Sequence, residues 1–300
     1  MQDPKGYQQV NNLQSRDLVD ILKENPFKWK QKNARIMDIG CGDGSATTGL
    51  WTKYIPENYM TIIGSDKSQA CVNFAKKNYE SERIKFITLN IEDEIPSELK
   101  GCFDHVVSNY TFMWVQQQKK AFSNIYSMLV KDGNCLLIFL ATCNTYENYI
   151  KLSRTSKWNP YLKDVKTKFI SPYHESQAST NSNIHKLSEQ EVPPTIDLQP
   201  YSNNEIRQIL DIETIWIGYD PKSEIRRLMK KIGYRHIKIQ VQNRSFDFLR
   251  GIEEFKDMMK SFNPFDGLEE KWDEFMDDYV KVDPNAGTFI YKLLVVSGMK

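Results

Sequence analysis

The amino-acid sequence predicts an α/β protein built on a doubly wound, mostly parallel sheet of seven strands. Short apolar runs alternate with amphipathic stretches across the first half of the chain, the pattern of strands joined by crossover helices. One apolar run enters a glycine-rich turn that opens directly into a helix, as at the ligand-binding edge of such sheets. With 300 residues, the chain is long enough to bury the core of one such domain.

The strands and helices follow from the spacing of the apolar residues. Five strands are expected first and two more near the end: residues 35–40, 61–66, 84–90, 103–109 and 133–141, then 237–242 and 289–296. The helices expected around them are residues 7–23, 45–54, 68–79, 116–130, 222–232, 251–259 and 268–280. The helix at 222–232 should end at Gly233, because glycine is favoured just past a helix end.

Composition and charge restrict the class of protein. The formal net charge is +1, and basic residues are interleaved with acidic ones, so we expect no nucleic-acid partner. The five cysteines share no metal-ligand spacing, which is typical of core residues in a reducing compartment. The first residues lack the apolar stretch of a secretory signal, and no apolar run is long enough to span a membrane. We therefore expect a cytoplasmic protein.

The most informative stretch is the glycine-rich turn at residues 40–44, directly after the first strand. Glycines in such a turn let the backbone bend sharply and approach a ligand more closely than a side chain permits. Asp38 precedes the turn in an apolar strand, where a carboxylate needs a partner. Asp66 ends the second strand, where an acid can bind ribose hydroxyls. The turn therefore predicts a nucleoside-containing cofactor.

The charge at the turn favours one cofactor over another. Asp43 lies near the start of the following helix, whereas a dinucleotide site needs that helix end free to face a pyrophosphate. An acid at this position favours a cofactor with a positive end. S-adenosylmethionine carries an ammonium and a sulfonium and has no phosphate, so it fits this turn better than NAD does.

The stretch Asp-Ile-Gly-Cys-Gly-Asp-Gly at 38–44 resembles the first motif of the Rossmann-like methyltransferases. The resemblance implies that Asp38 and Gly40 lie near the methionine part of S-adenosylmethionine and Asp66 on its ribose. These enzymes often place an acid after the third strand for the adenine amino group. Here Asn90 stands there; its side-chain oxygen can accept the same hydrogen bond, or cofactor affinity is weaker. The expected cofactor-binding residues are Asp38, Gly40, Cys41, Gly42, Asp43, Gly44, Asp66, Lys67, Asn90, Ile91 and Ser108.

An aromatic loop at residues 110–115 follows the fourth strand, at the edge where ligands bind in such sheets. It predicts an apolar pocket for the methyl acceptor. The Asn-Pro-Pro-aromatic signature of methyltransferases that act on nucleobase amino groups is absent. Trp114 offers an indole N–H, and Gln14 places an amide on the apolar stripe of the first helix. Each side chain either binds a ligand oxygen or has an ordinary structural role, which is packing at a helix start for Trp114 and a helix-end backbone hydrogen bond for Gln14.

The chain also resembles the insect juvenile hormone acid O-methyltransferases over nearly its whole length. Besides the glycine turn, the resemblance is carried by Asn12-Leu13-Gln14-Ser15-Arg16-Asp17, Trp114-Val115-Gln116, Ser123-Asn124-Ile125-Tyr126, Ser156-Lys157-Trp158, Phe169-Ile170-Ser171-Pro172-Tyr173, Asn263-Pro264-Phe265 and Asp277-Asp278-Tyr279. That family esterifies the carboxylate of farnesoic acid or juvenile hormone acid. The resemblance implies that Gln14 and Trp114 hold this carboxylate. Because a carboxylic acid is already ionised at pH 7, no general base is required.

A terpenoid acid needs an apolar tunnel as well as a carboxylate site. The residues expected to line it are Tyr110, Phe112, Met113, Trp158, Tyr173 and Phe265, with Phe262, Trp272 and Met276 as further candidates. At helical spacing, such residues can equally belong to the core. Another small acid or hydroxyl compound as acceptor, or a catalytically silent cofactor-binding module, remain alternatives. The partner is thus a small lipophilic acid, and a homodimer is left open.

We interpret the chain as one domain with an insert. An N-terminal cap helix lies in 1–30, the cofactor-binding half in 31–145, and helical cap elements over the acceptor site in 146–175 and 250–282. Residues 176–219 are rich in polar residues and depart from the family pattern, which resumes at Asp220. A surface loop is the favoured interpretation of this insert; a gene-model artefact or a lid that alters substrate choice are the others.

Overall fold

The computed structural model describes residues 4–24, 27–174, 220–283 and 286–300. Within these ranges seven strands form one sheet in the order β3-β2-β1-β4-β5-β7-β6. The strands are β1 Arg35–Ile39, β2 Thr61–Asp66, β3 Ile84–Thr88, β4 Phe103–Asn109, β5 Leu129–Cys143, β6 Arg235–Asp247 and β7 Thr288–Met299. Among the described strands, β7 alone runs in the opposite direction to the other six, so its pairings with β5 and β6 are antiparallel. The predicted mostly parallel seven-stranded sheet is confirmed.

The strand order reverses beside β1, which pairs in parallel with β2 on one side and with β4 on the other. Ile36, for example, lies opposite Ile62 and His105. The connections from the ends of these two central strands leave in opposite directions, and this divergence opens a crevice at the carboxyl edge of the sheet. The glycine turn and the aromatic loop both begin at this edge, so the fold brings them together.

Helices cover both faces of the sheet and its carboxyl edge. They are α1 Pro4–Val10, α2 Asn12–Glu24, α3 Thr52–Tyr54, α4 Gln69–Tyr79, α5 Gln118–Met128, α6 Asn144–Ser153, α7 Asn159–Leu162, α8 Val165–Lys168, α9 Pro221–Ile232, α10 Ile252–Ser261 and α11 Trp272–Val282. Helix α4 packs against β2 and β3, and α5 packs against β4 and β5. At the carboxyl edge α1 packs against α10, while α6 packs against α7, α8 and α11. Across the described ranges, none of the helices combines the length and apolar character needed to cross a bilayer.

The ends of α9 illustrate how local sequence sets an element. Asp220 caps its start by accepting hydrogen bonds from the backbone N–H groups of Lys222 and Ser223. Gly233 ends the helix with φ of 115°, a left-handed conformation that glycine adopts at little cost. The predicted stop at Gly233 is therefore confirmed.

Two helices depart from their predicted form. The single helix expected at residues 7–23 is two helices, because the helical conformation is interrupted at Asn11 between α1 and α2. The helix after the glycine turn contains a π-helical turn, Thr47–Trp51, before α3. Both irregularities lie beside the crevice, and π-helical turns are frequent at functional sites. The predicted polar loop and the insert at 176–219 lie outside the described residues.

Candidate active site

A cavity of about 540 Å³ lies at the carboxyl edge of the sheet. Its wall is built from the glycine turn, the ends of β1, β2 and β4, and the helices at this edge. This volume is in the range of cavities that hold small molecules. The wall therefore contains both regions that the sequence singled out, the cofactor turn and the acceptor loop.

The glycine turn presents bare backbone to the cavity. Gly40 has φ of +73°, and a Cβ added to it would lie 2.0 Å from the hydroxyl oxygen of Thr111. No side chain fits between these two segments, so glycine is required there. The N–H groups of Gly40 and Cys41 both donate to the carbonyl oxygen of Ser65, at 2.7 and 2.9 Å, which holds the turn against β2.

Asp66 joins the turn to the cavity. Its carboxylate accepts hydrogen bonds from the backbone N–H of Gly42 at 3.0 Å and of Ser68 at 2.8 Å. Each oxygen of a carboxylate can accept a further hydrogen bond, and Asp66 lies on the cavity wall. The arrangement therefore suits the binding of ribose hydroxyls.

Asp38 is buried beneath the turn and also reaches the wall. The Thr47 hydroxyl donates a 2.7 Å hydrogen bond to its carboxylate, which supplies the partner that a buried acid needs. Burial is the main cause that raises the pKa of Asp38 to about 7; the hydrogen bond from Thr47 opposes this shift, and the nearby charge of Asp66 adds to it. A bound cation would favour the ionised form of this acid.

Asp43 takes the helix-start position where a phosphate would otherwise bind. Its carboxylate accepts from the backbone N–H of Ser45 at 3.3 Å, the Ser45 hydroxyl at 2.9 Å and the Gln8 amide at 3.2 Å. Burial raises the pKa of this carboxyl. The three carboxylates at the turn accept hydrogen bonds and attract positive charge. They therefore fit S-adenosylmethionine, which carries an ammonium, a sulfonium and ribose hydroxyls.

The remaining predicted cofactor residues divide into two groups. Lys67, Asn90 and Ile91 lie on the cavity wall, with the Asn90 side-chain oxygen accepting from the N–H of Glu92 at 3.2 Å. Gly44 and Ser108 lie behind it. Gly44, with φ of +83°, packs where a Cβ would meet Ala75 at 2.8 Å, and the buried Ser108 hydroxyl donates to the carbonyl oxygen of Ile39 at 2.8 Å. Both shape the turn from behind and do not line the cavity.

Gln14 and Trp114 lie on the same cavity wall. The Gln14 side chain is 6% exposed; its amide nitrogen faces the sulfur of Met258 at 4.0 Å, a weak acceptor, and its amide oxygen has no partner within the described ranges. A half-turn of the amide exchanges the two, so this site can present either N–H donors or an acceptor. The indole ring of Trp114 contacts Phe169 and Phe262 at centroid distances of 5.7 and 5.8 Å.

Two predicted pocket residues, Tyr110 and Met113, line the cavity, as does Phe262, but Phe112 and Tyr173 do not. The Phe112 ring packs against Phe122 and Phe139 in the core, at 5.4 and 5.7 Å. The Tyr173 hydroxyl donates to the side-chain oxygen of Gln118 at 3.0 Å. In the structure, these two side chains pack against other residues and lie away from the wall, unlike the placement that the sequence led us to expect.

Trp158 and Phe265 likewise lie away from the cavity wall. The Trp158 indole N–H donates to the Asp278 carboxylate at 3.0 Å, which fixes α7 to α11. Phe265 stacks on Tyr149 at 6.1 Å within an aromatic cluster behind the wall. Trp272 and Met276 are buried and likewise do not line the cavity.

Buried polar atoms without a hydrogen-bond partner concentrate on this wall. Of five such side-chain atoms among the described residues, four belong to residues that line the cavity: Gln14 Oε1, Trp51 Nε1, Asn109 Oδ1 and the Tyr146 hydroxyl. Such atoms usually have a partner when buried, so their grouping indicates a polar ligand. The sequence could have indicated that Asn109 lines the cavity, because it lies at the end of β4, at the edge where ligands bind. Trp51 and Tyr146 carry no signal, because their helical spacing is ordinary.

The chain is similar to enzymes of known activity. It matches the methyltransferase domain family over residues 30–214. It is 32% identical over 278 residues to the juvenile hormone acid O-methyltransferase of Bombyx mori, covering 92% of this chain and 84% of that relative. The Drosophila melanogaster protein of the same name is 29% identical over 286 residues, covering 92% and 80%.

Solved structures show the same fold. The YcgJ protein from Bacillus subtilis has a TM-score of 0.55 at 13% identity, covering 95% of this chain and 98% of that one. Phosphoethanolamine N-methyltransferase 2 of Haemonchus contortus, in complex with S-adenosyl-L-methionine, has a TM-score of 0.52 at 13% identity, covering 99% and 56%. With its seven-stranded sheet and acid-lined glycine turn, the chain belongs to the S-adenosylmethionine-dependent methyltransferases, in the family of the juvenile hormone acid O-methyltransferases.

Proposed function

We propose that this methyltransferase converts a lipophilic terpenoid carboxylic acid, juvenile hormone acid or farnesoic acid, to its methyl ester. The observation that carries the proposal is the buried amide of Gln14, which lies on the cavity wall and has, in the part of the chain that the structure describes, only a thioether as partner. A buried amide whose N–H groups lack a strong acceptor is suited to donate a hydrogen bond to a ligand oxygen. The named activity of the similar Bombyx mori enzyme supports a carboxylic acid as the ligand.

The cofactor side of the proposal uses the three acids of the glycine turn. S-adenosylmethionine, when bound, supplies a methyl group on a positively charged sulfur. In our proposal Asp38 faces its ammonium group, Asp66 accepts from the ribose hydroxyls, and the backbone of Gly40 leaves room for the methionine part. Asn90 stands near the adenine, where its oxygen keeps a free lone pair beside the hydrogen bond from Glu92.

Gln14 and Trp114 orient the acceptor carboxylate in this proposal. Both offer neutral N–H donors, which fix the anion without the strong ion pair that an arginine would form. An ion pair would stabilise the ground state most and reduce the reactivity of the carboxylate. Orientation of this kind lowers the barrier because it removes the need to find a productive geometry by diffusion.

The apolar part of the wall excludes water and accommodates the hydrocarbon chain. It comprises Leu13, Met113, Val115, Leu140, Phe169, Met258, Met259, Phe262, Pro264 and Phe289. Removing the hydration shell of a carboxylate raises its reactivity toward a positively charged centre, because charge is lost on the way to the ester. The apolar part of the cavity therefore contributes both to substrate binding and to the reaction.

The direct test is incubation of the purified protein with radiolabelled S-adenosylmethionine and either farnesoic acid or juvenile hormone acid. We expect label in the methyl ester, identified by chromatography against the authentic ester. A straight-chain fatty acid and a phenol of similar size serve as controls for acceptor class. Methylation of the phenol alone, or cofactor binding without turnover of any acid, would contradict the proposal.

A further inference from the structure

The hydroxyl of Tyr146 is a buried polar group that the proposed carboxylate site does not use. Tyr146 lies in the first turn of α6, is 2% exposed, and lines the cavity. Its hydroxyl has no hydrogen-bond partner among the described residues. A buried tyrosine hydroxyl usually finds a partner, and leaving it unpaired destabilises the protein. The missing partner is therefore expected in whatever fills the cavity.

Two rings fix the direction of this side chain. Tyr146 makes edge-to-face contacts with Phe169 at 5.5 Å and with His174 at 5.4 Å. Phe169 in turn contacts the Trp114 ring at 5.7 Å, so Tyr146 and Trp114 belong to one aromatic wall. A hydroxyl held in this way is preorganised, because it needs little further ordering when a ligand arrives.

The order of the strands places Tyr146 beyond the carboxylate site. The glycine turn follows β1. Asn109 is the last residue of β4, Trp114 lies in the loop after β4, and Tyr146 follows β5. These strands are consecutive neighbours in the sheet, and neighbouring strands are about 4.8 Å apart. Tyr146 therefore follows a strand one further from the glycine turn than the strand that leads to Trp114. A tail that leaves the carboxylate site on the side away from the glycine turn would therefore pass toward Tyr146.

We propose that the Tyr146 hydroxyl donates a hydrogen bond to an oxygen atom in the tail of the acceptor, and that it thereby selects oxygenated lipophilic acids. This inference rests on the proposed function, since it assumes that the carboxylate is held at Gln14 and Trp114. An epoxide, an ether or a hydroxyl oxygen would each accept this bond. Burial raises the pKa of Tyr146 well above its usual range, so the hydroxyl stays protonated and able to donate at physiological pH.

The Tyr146 hydroxyl would discriminate between acids with an oxygenated tail and acids with a plain hydrocarbon tail. A plain hydrocarbon tail fills the same space and leaves the hydroxyl unpaired, whereas an oxygenated tail satisfies it. A site built around a buried hydrogen-bonding group disfavours the analogue that lacks its partner. The wild-type protein is therefore expected to have a higher kcat/KM for the epoxide of farnesoic acid than for farnesoic acid itself.

The test compares these two acids in wild type and in Tyr146→Phe, which removes one oxygen and keeps the ring contacts. Loss of a neutral hydrogen bond lowers kcat/KM for the epoxide by roughly 2- to 13-fold, mainly through a higher KM. The value for farnesoic acid should stay within about twofold. Tyr149→Phe is the matched control, because Tyr149 is a buried tyrosine of the same helix that stacks on Phe169 at 4.3 Å and does not line the cavity.

Farnesoic acid turnover and calorimetric cofactor affinity report whether Tyr146→Phe folds normally. An equal loss for both acids, or an unchanged ratio between them, would overturn the assignment of Tyr146 to the tail while leaving the proposed function intact. If wild type methylates neither acid, the proposed function fails and the inference fails with it.

Discussion

The hydroxyl of Tyr110 donates a hydrogen bond of 2.6 Å to the carboxylate of Asp17, which joins the loop after β4 to helix α2. Asp17 is 0% exposed, and it also accepts hydrogen bonds from Arg16, Arg244 and the Tyr291 hydroxyl. Tyr110 has φ of +56°, a conformation that is costly for a residue with a side chain. The bond to Asp17 helps to hold it there. This junction links Gln14, one turn before Asp17, to Trp114, four residues after Tyr110.

The first prediction concerns the stability of this junction. Tyr110→Phe removes a hydrogen bond to an ionised acceptor, so we expect the free energy of unfolding to fall by about 2 kcal/mol. Tyr291→Phe should have a similar effect, and the loss in the double variant should differ from the sum of the two, because both hydroxyls bind the same carboxylate. Urea denaturation of the three variants measures these values. The partly buried Tyr161 provides the control, with a change within about 0.5 kcal/mol for Tyr161→Phe.

The second prediction concerns the two residues assigned to the acceptor carboxylate. Gln14→Ala and Trp114→Phe each remove an N–H donor to an anion, so kcat/KM for the acid should fall by roughly 10- to 100-fold. Cofactor affinity and melting temperature should change little, because neither residue holds the glycine turn. Steady-state kinetics with a terpenoid acid and calorimetry with S-adenosylmethionine provide the two readouts.

Two substitutions away from the cavity control for loss of an amide or an indole. Gln9 is exposed on α1, and Trp29 packs against Phe27 and His105. Neither residue lines the cavity, so Gln9→Ala and Trp29→Phe should keep wild-type kinetics. Unchanged turnover in both Gln14→Ala and Trp114→Phe would remove the carboxylate site from the proposal.

The third prediction concerns cofactor affinity. Asp66→Ala removes an acceptor for the ribose hydroxyls and the two backbone bonds to Gly42 and Ser68. We therefore expect the dissociation constant for S-adenosylmethionine to rise by about tenfold or more. Asp132→Asn, at an exposed ion pair with Arg235, is the control. Calorimetry that finds equal affinity for Asp66→Ala and wild type would refute the assignment of Asp66 to the ribose.

The parts of the site that could be predicted are those fixed by local sequence. A strand that enters a glycine turn must place residues such as Asp38 and Asp66 at the same edge, because parallel strands end there together. The acceptor pocket was harder to predict. Phe112 and Met113 are adjacent in one 3-10 turn, yet Met113 lines the cavity and Phe112 packs against Phe122. Only the packing of distant segments decides which of the two faces the ligand.

Partners from distant parts of the chain explain the other differences. Trp158 is an aromatic residue that the sequence predicts in the pocket, but its indole N–H donates to the carboxylate of Asp278, 120 residues away. Tyr146 has the spacing of a core residue, but its hydroxyl has no hydrogen-bond partner among the residues that the structure describes, and Tyr146 lines the cavity. Helical periodicity separates buried from exposed positions and carries no information about which buried positions face a ligand.

The fourth prediction concerns pH. Because burial raises the pKa of Asp38 to about 7, this carboxyl changes from mostly ionised at pH 8 to mostly protonated at pH 6. The ionised form attracts the positively charged cofactor, so the affinity for S-adenosylmethionine should fall as pH falls, approaching tenfold per pH unit below about 7. Asp38→Asn cannot titrate, and its weaker affinity should vary less over this range. Asp43→Asn separates the contribution of the second buried acid, whose pKa burial also raises. Calorimetry at pH 6, 7 and 8 measures the slopes, and equal slopes for wild type and Asp38→Asn would exclude Asp38 as the titrating group.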